Sequence, residues 1–268
     1  MSFIRKYKVD IDGTTIESSG IHPLQVSFDC GSNITAQQDE FTVTILNLSP
    51  STIANIKKEY QKITLYAGYE DGDFGMIAKG EIRSVESQRD KVNIKTVIHA
   101  GSGDEGCQKG VVNKTMKKNA TVKDCIKECH KKMKNVKCGR AKGVDMKADK
   151  THMTLLGSSK RCLNKLAKRA NFDWFIEMQE MKALNKKQTF DNVHEVSVDT
   201  GMVGSPKKTE KGAVVECLLN SGVRVGEKVK IVSRDLSREF KIVSYKHQGD
   251  YYGSSSTWKT IITGENLK

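Results

Sequence analysis

Proline is scarce in this chain of 268 residues, with three copies, and aromatic side chains make up only 6% of it. With 37% hydrophobic residues besides, neither a disordered chain nor a collagen-like fibre fits. No apolar run approaches the roughly 20 residues that a membrane-spanning helix needs. The opening Met1-Ser2-Phe3-Ile4-Arg5-Lys6 has no apolar stretch of the signal-peptide kind, so synthesis and folding in the cytosol are expected. Seven cysteines without short regular spacing argue against a secreted disulfide scaffold and for reduced thiols. There is no Gly-x-Ser-x-Gly elbow, and the six histidines are scattered.

What the chain does have is positive charge in one place. Residues 1–100 carry 11 Lys/Arg against 13 Asp/Glu, and residues 171–268 carry 15 against 13. Residues 101–170 carry 19 against 6, which accounts for the whole formal excess of +13. Two near-neutral ends therefore flank one basic centre, the pattern of a scaffold that displays a module rather than of an evenly coated nucleic-acid binder.

The ends alternate with a period of two. Phe41, Val43 and Ile45 share one strand face, and Val92, Ile94, Thr96 and Ile98 repeat the pattern. Lys62–Tyr69 and Met76–Ser87 are further strands, and Ser49-Pro50 is an N-cap followed by a first-turn proline, with Ile53 and Ile56 turned inward. Past residue 193 the alternation returns in Val214–Leu219, Lys228–Ser233, Arg238–Lys246 and Thr257–Thr263. Many short strands at this spacing predict a small barrel or sandwich at each end.

The centre changes period. Thr121-x-x-Asp124 is a variant capping box opening a helix to about Lys134, with Val122, Cys125, Ile126, Cys129 and Met133 along its apolar stripe. A second helix begins near Ser158–Ser159, buries Cys162, Leu163 and Leu166, stops near Asn171, and leads into a strand over Phe172–Met178. Residues 135–154 are aperiodic and predict a loop or a weak hairpin.

Three stretches together resemble the hub proteins of contractile phage-tail baseplates in their short form. The first is Glu40-Phe41-Thr42-Val43-Thr44-Ile45-Leu46-Asn47-Leu48-Ser49-Pro50-Ser51-Thr52, followed by Tyr66-Ala67-Gly68-Tyr69 and Gly80-Glu81-Ile82. The second covers Val112-Asn113-Lys114-Thr115, the helix after Thr121, and Gly157–Trp174. The third is Gly201-Met202-Val203-Gly204-Ser205-Pro206 with Val215–Asn220, Arg224–Val229 and Tyr245-Lys246-His247-Gln248-Gly249-Asp250. The resemblance implies an α+β chain with two tube-like antiparallel β-barrel domains, 1–103 and 201–268, around an inserted basic α/β domain, 104–200. It implies a homotrimer in the virion tail baseplate, joining the sixfold tail tube or distal tube protein above to the threefold central spike below. Terminal blocks merging into one continuous sheet, or folding unlike each other, would count against that picture.

Four constellations need weighing. Gly101-x-Gly103-x-x-Gly106 has the spacing of a dinucleotide fingerprint, but no acid ending a second parallel strand follows, so a glycine-rich turn is the better reading. Cys125, Cys129, His130 and Cys138, with His152 in reserve, could ligate zinc; two of them lie on the apolar stripe, which favours packing, with an assembly-dependent disulfide to Cys162 the other option. No metal site, cofactor or catalytic residue is expected. Trp174 and Trp258 are expected to be structural, and Tyr251-Tyr252 an exposed contact or a turn anchor. The lysines Lys117, Lys118, Lys131, Lys132, Lys134 and Lys137 form either a plain solvated face or a docking site. Residues 101–170 contain no Phe, Tyr or Trp to stack on bases, so an acidic protein partner is favoured over nucleic acid, which is the alternative function.

Overall fold

The computed structural model describes residues 4–20, 22–35, 38–56, 60–146, 153–253 and 257–267. The first block contains β1 (Arg5–Ile11), β2 (Thr14–Glu17), β3 (Val26–Asn33), β4 (Glu40–Leu46), α1 (Pro50–Asn55), β5 (Lys62–Tyr69), β6 (Phe74–Asp90) and β7 (Asn93–Gly101). Ser49 caps α1 by accepting from Thr52 N, and Ile56 just after it is 1% exposed, as the local signals predict.

The centre runs α2 (Asp104–Lys109), β8 (Val111–Met116), α3 (Val122–His130), β9 (Lys137–Lys142), β10 (Met153–Ser158), α4 (Ser159–Ala170), β11 (Phe172–Glu177) and β12 (Glu180–Asn185). The capping box at Thr121 and Asp124 is fully formed, and Asn171 in the left-handed region ends α4. α3 stops at His130 rather than Lys134; the chain turns there, and Met133 reaches the core from the turn. Lys137–Lys142, expected within a loop or a weak hairpin, is a strand because β12 pairs it in parallel; its own residues lack alternation. α3, α4 and β11 bury Cys125, Cys129, Leu163, Leu166 and Trp174 in one apolar core.

The last block is β13 (Val193–Ser197), β14 (Met202–Thr209), β15 (Gly212–Leu218), β16 (Lys228–Val232), β17 (Ser237–Asp250) and β18 (Lys259–Asn266). Its strand order repeats that of the first block. The ladders β3·β4, β4·β7, β7·β6, β6·β5 and β5·β1 are matched one for one by β14·β15, β15·β18, β18·β17, β17·β16 and β16·β13. All are antiparallel except β13·β16, which is parallel. One irregularity coincides: β6 slips against β7 between Ile82 and Ser84, and β17 slips against β18 between Ile242 and Ser244. The slips in β14·β15, between Val203 and Lys207, and in β5·β6, between Leu65 and Tyr66, have no such counterpart. Phe41, Val43 and Ile45 of β4 are buried, as are Ala213, Val215 and Cys217 at the equivalent positions of β15. A turn over residues 220–227 stands where α1 stands in the first block.

The expectation of two separate β-barrel domains is corrected here: the terminal blocks merge into one continuous sheet, the outcome named above as counting against it. Strand β17 pairs antiparallel with β3, from Ser244 opposite Asn33 to Asp250 opposite Ser27, so one 13-stranded sheet runs through both, and no sheet closes on itself among the described residues. The reason is the length of β17. Its first residues serve β16, while its last seven extend past that strand and find β3. Gly31 permits the approach, since a Cβ there would sit 2.5 Å from Tyr245 O. Behind this single sheet the apolar side chains still fall into two clusters, one around Tyr7, Phe28, Ile45 and Trp258 and one around Phe190, Val215, Ile231 and Tyr245. One sheet therefore carries two alike folding units.

Candidate interaction surfaces

The six lysines singled out in the sequence are all exposed, on the turns that bracket α3. Lys117 and Lys118 precede the helix, Lys131, Lys132 and Lys134 follow it, and Lys137 opens β9. They do not act alike. Lys131 reaches Glu128 at 2.6 Å, and Lys114 shares the same carboxylate at 2.9 Å. Those two hydrogen bonds hold the Glu128 carboxyl below its ordinary range. Lys134 lies 3.8 Å from Glu105, which also takes Lys109 at 3.3 Å. Lys117, Lys118, Lys132 and Lys137 make no ion pair among the described residues, which leaves four charges free to meet a partner.

The glycine-rich stretch is a packing device. Gly103 caps α2 with φ +71, and a Cβ on it would sit 2.6 Å from Ile176. The first turn of α2 carries Asp104 and Glu105, charges that repel a phosphate, and Asp104 binds Arg83 at 2.7 Å. Arg83 also holds Glu40 at 2.6 Å, tying β6 to β4.

Cys125 and Cys129 face the apolar core, where burial pushes the Cys129 thiol up to about 12 and neighbouring Cys162 adds to the rise. All seven cysteines are free thiols. His130 Nε2 lies 2.8 Å from Val136 O, and Cys138 is exposed on β9. Among the described residues no group of His, Cys, Asp or Glu is placed to hold a metal, and His152 lies outside them. Trp174 donates to Asn164 at 2.9 Å, and Trp258 is 2% exposed in the first β core. Tyr251 packs edge-on against Tyr7, while Tyr252 donates to Pro23 O at 3.1 Å, so this pair anchors the turn to the first block.

Three polar features join the blocks, and sequence reasoning did not find them. Glu227, 1% exposed, accepts from Arg140 at 2.6 Å and Asn192 at 2.8 Å, with His194 Nε2 at 2.7 Å. Burial works against the charged form, yet the bonds from His194 and Arg140 hold its carboxyl at about 2. Arg140 also stacks over Phe190 at 4.5 Å, so the central module is clasped to the last block. Nearby, Lys182 pairs with Glu177, both buried, and Glu177 accepts from Val225 N at 3.2 Å. Asp39 lies close to that pair; burial, then the charge of Glu177, pushes its carboxyl well above the usual range. Residues 140 and 227 are far apart in sequence, and no spacing rule links them.

The broadest surface is a sheet face. Along β14-β15-β18-β17-β3-β4-β7-β6, alternate side chains point away from both cores. This face is polar and partly exposed, with Lys246 bound to Asp29 at 2.7 Å, Lys259 to Glu216 at 2.7 Å, and His99 Nδ1 at 3.2 Å from Thr42 Oγ1. A largely polar sheet face of eight strands, left partly exposed among the described residues, fits water or a partner.

No curated protein sequence matches the chain. The fold is similar to that of the 43 kDa tail protein of prophage MuSo2 from Shewanella oneidensis, with a TM-score of 0.70 at 10% identity, covering 98% of this chain and 97% of that one. It is also similar to a tail protein from Neisseria meningitidis MC58, with a TM-score of 0.67 at 10% identity over 98% and 96% of the two chains. The E. coli c3393 protein, a component of the type VI secretion system described as structurally similar to the T4 tail proteins gp27 and gp5, matches with a TM-score of 0.61 at 9% identity over 97% and 77%. The model of the family described as Baseplate hub gp41 matches residues 22–236, which is most of the sequence. The chain therefore belongs to the Baseplate hub gp41 family, a structural component of the phage tail baseplate.

Proposed function

We propose that three copies of this chain surround the tail axis as a hub that caps the tail tube and carries the central spike. The observation that carries this reading is the repeated strand order. Each chain offers the same layout twice, side by side on one sheet, so three chains offer it six times. A sixfold tube then meets near-equivalent surfaces, while the central modules, present once per chain, keep threefold symmetry for the spike. The matching rests on two units sharing a sheet, not on two separate barrels. Three copies of the partly exposed eight-stranded face, 24 strands, would line the channel with polar side chains.

The domain division follows the three apolar cores. We keep 1–103 as the first block and start the central one at 104, but end it near residue 190 rather than 200, because Phe190 and Val196 pack in the last core. The role is mechanical, without catalysis or cofactor, and assembly takes place in the host cytoplasm. Lys117, Lys118, Lys132 and Lys137, with Lys131 and Lys134 beside them, face an acidic baseplate protein.

The native mass of the purified protein, alone and mixed with its spike, tests the reading. A threefold mass in either sample is expected. A monomer in both, across the accessible concentration range, overturns it.

A further inference from the structure

Leu156 on β10 and Val111 on β8 are exposed by 65% and 62%, although both are large apolar side chains. The ladder puts them on one face: Leu156 stands opposite Asn113 and Ser158 opposite Val111, so the two are diagonal neighbours. Val112 and Leu155, the alternate residues, are buried in the central core, so this face points away from it. A lone exposed apolar residue is ordinary. A pair on adjacent strands, at the mouth of a charged groove, has the anatomy of a contact site.

That groove runs along α4. It has a volume of about 420 Å³, is lined by Ser158, Lys160, Arg161, Lys165 and Lys168, and no acid lines it. Residues 153–172 carry five Lys/Arg and no Asp or Glu. α4 turns Cys162, Leu163 and Leu166 into the core, which leaves Arg161, Lys165 and Lys168 exposed. These three make no ion pair among the described residues, whereas Lys131 and Lys134 already meet Glu128 and Glu105. Ser158 lines the groove and stands opposite Val111 on the strand face, so the two features are continuous. Ser159 N donates to Gly110 O at 2.8 Å and Ser159 Oγ to Cys129 O at 2.9 Å, which brings the end of α3 to the same corner.

We propose that the β8·β10 face and the α4 groove form one docking surface for an acidic segment of another baseplate protein. Apolar side chains of that segment rest on Val111 and Leu156, and its carboxylates meet Arg161, Lys165 and Lys168. This rests on the acidic-partner reading above, and adds to it an apolar anchor and an extension along α4. Charge and chemistry together choose the occupant. Nucleic acid would meet the cations but leave Val111 and Leu156 unused, and residues 101–170 hold no Phe, Tyr or Trp to stack on a base. A second copy would bring a centre of 19 Lys/Arg against 6 Asp/Glu in residues 101–170, and like charges repel. An acidic segment with apolar side chains satisfies both halves of the surface.

Photo-cross-linking in assembled tails tests this. Leu156→p-benzoylphenylalanine, irradiated in the baseplate, is expected to join this chain to an acidic stretch of a different baseplate protein, read by mass spectrometry. Adding Lys165→Glu and Lys168→Glu is expected to cut the yield roughly ten-fold or more, with the Tm of the purified protein unchanged. A second measurement needs no tail. A peptide of alternating Glu and Leu is expected to bind the purified chain, more weakly as salt rises. A Glu–Ser peptide of equal charge binds roughly ten-fold more weakly, and Leu156→Ser removes that difference. A cross-link to a second copy, to DNA or to nothing overturns the surface, as does equal binding of the two peptides. An acidic cross-link that survives K165E/K168E but is lost with K117E/K118E overturns the extension along α4 and leaves the acidic-partner reading standing. Where neither peptide binds and no acidic protein is linked, that reading falls as well.

Discussion

Lys246 on β17 and Asp29 on β3 meet at 2.7 Å across the ladder that joins the two β blocks, each side chain 48% exposed. An exposed pair of this kind sets register more than it sets stability. Asp29→Ala is expected to cost no more than about 1 kcal/mol in chemical denaturation. Gly31→Val is expected to be far worse, at roughly 3 kcal/mol or more, because its Cβ would collide with Tyr245 O across the same ladder. Hydrogen exchange at Ser244–Asp250 is the readout: fast exchange in Gly31→Val with protection elsewhere retained identifies β17·β3 as the join.

The buried Lys182–Glu177 pair predicts an asymmetric mutational response. Lys182→Met leaves an uncompensated carboxylate at a site 0% exposed and is expected to cost about 3–5 kcal/mol. Replacing both partners, with Lys182→Met and Glu177→Leu, recovers part of that loss; full recovery is blocked because Val225 N loses its acceptor. Urea midpoints of the two variants and the parent check the order.

Glu227 sets an acid limit. Its carboxyl sits at about 2 in the folded protein against an ordinary 4.5, so its contribution is complete above pH 4.5 and is lost as pH falls toward 2. The difference corresponds to roughly 3 kcal/mol. Glu227→Gln is expected to remove that part of the acid dependence, so parent and variant stability curves converge toward pH 2 and separate above pH 5.

Asp39 has the opposite sign. Its raised pKa means that the folded protein retains a proton that the unfolded chain releases above pH 3.8, so this group costs stability as pH rises past that value. Asp39→Asn, which keeps the shape without the charge, is expected to raise stability at pH 8 by about 1 kcal/mol. Thermal melting at pH 5 and pH 8 measures this, with the larger gain at pH 8.

For the basic face, Lys117, Lys118, Lys132 and Lys137 all changed to Glu should abolish capture of an acidic baseplate partner and leave folding intact, since none of them forms an ion pair among the described residues. Binding of the parent should weaken as salt rises. Capture that is unchanged by the four substitutions and by salt would contradict the assignment, and a gel shift with plain duplex DNA at physiological salt would favour the nucleic-acid alternative.

Much of the local structure was legible because its causes are local. Ser49, Thr121 and Ser158 cap helices through bonds to residues three positions on, and Phe41, Val43 and Ile45 alternate whatever they pack against. β9 was not legible: Lys137–Lys142 has no apolar period, and only its partner β12 makes it a strand. The clasp at Glu227 and the pair at Lys182 were hidden for a related reason, because ion partners from different elements leave no spacing in the chain.

What the amino-acid sequence determined by itself was the change of period along the chain, from two to helical and back, and the confinement of positive charge to its middle, since these depend on near neighbours and composition. Only the tertiary structure decided that the outer blocks repeat one strand order and share one sheet. Backbone pairing is indifferent to side-chain identity, so two stretches with little sequence in common can build the same ladder, and the bond between β17 and β3 is made by peptide groups that every sequence carries.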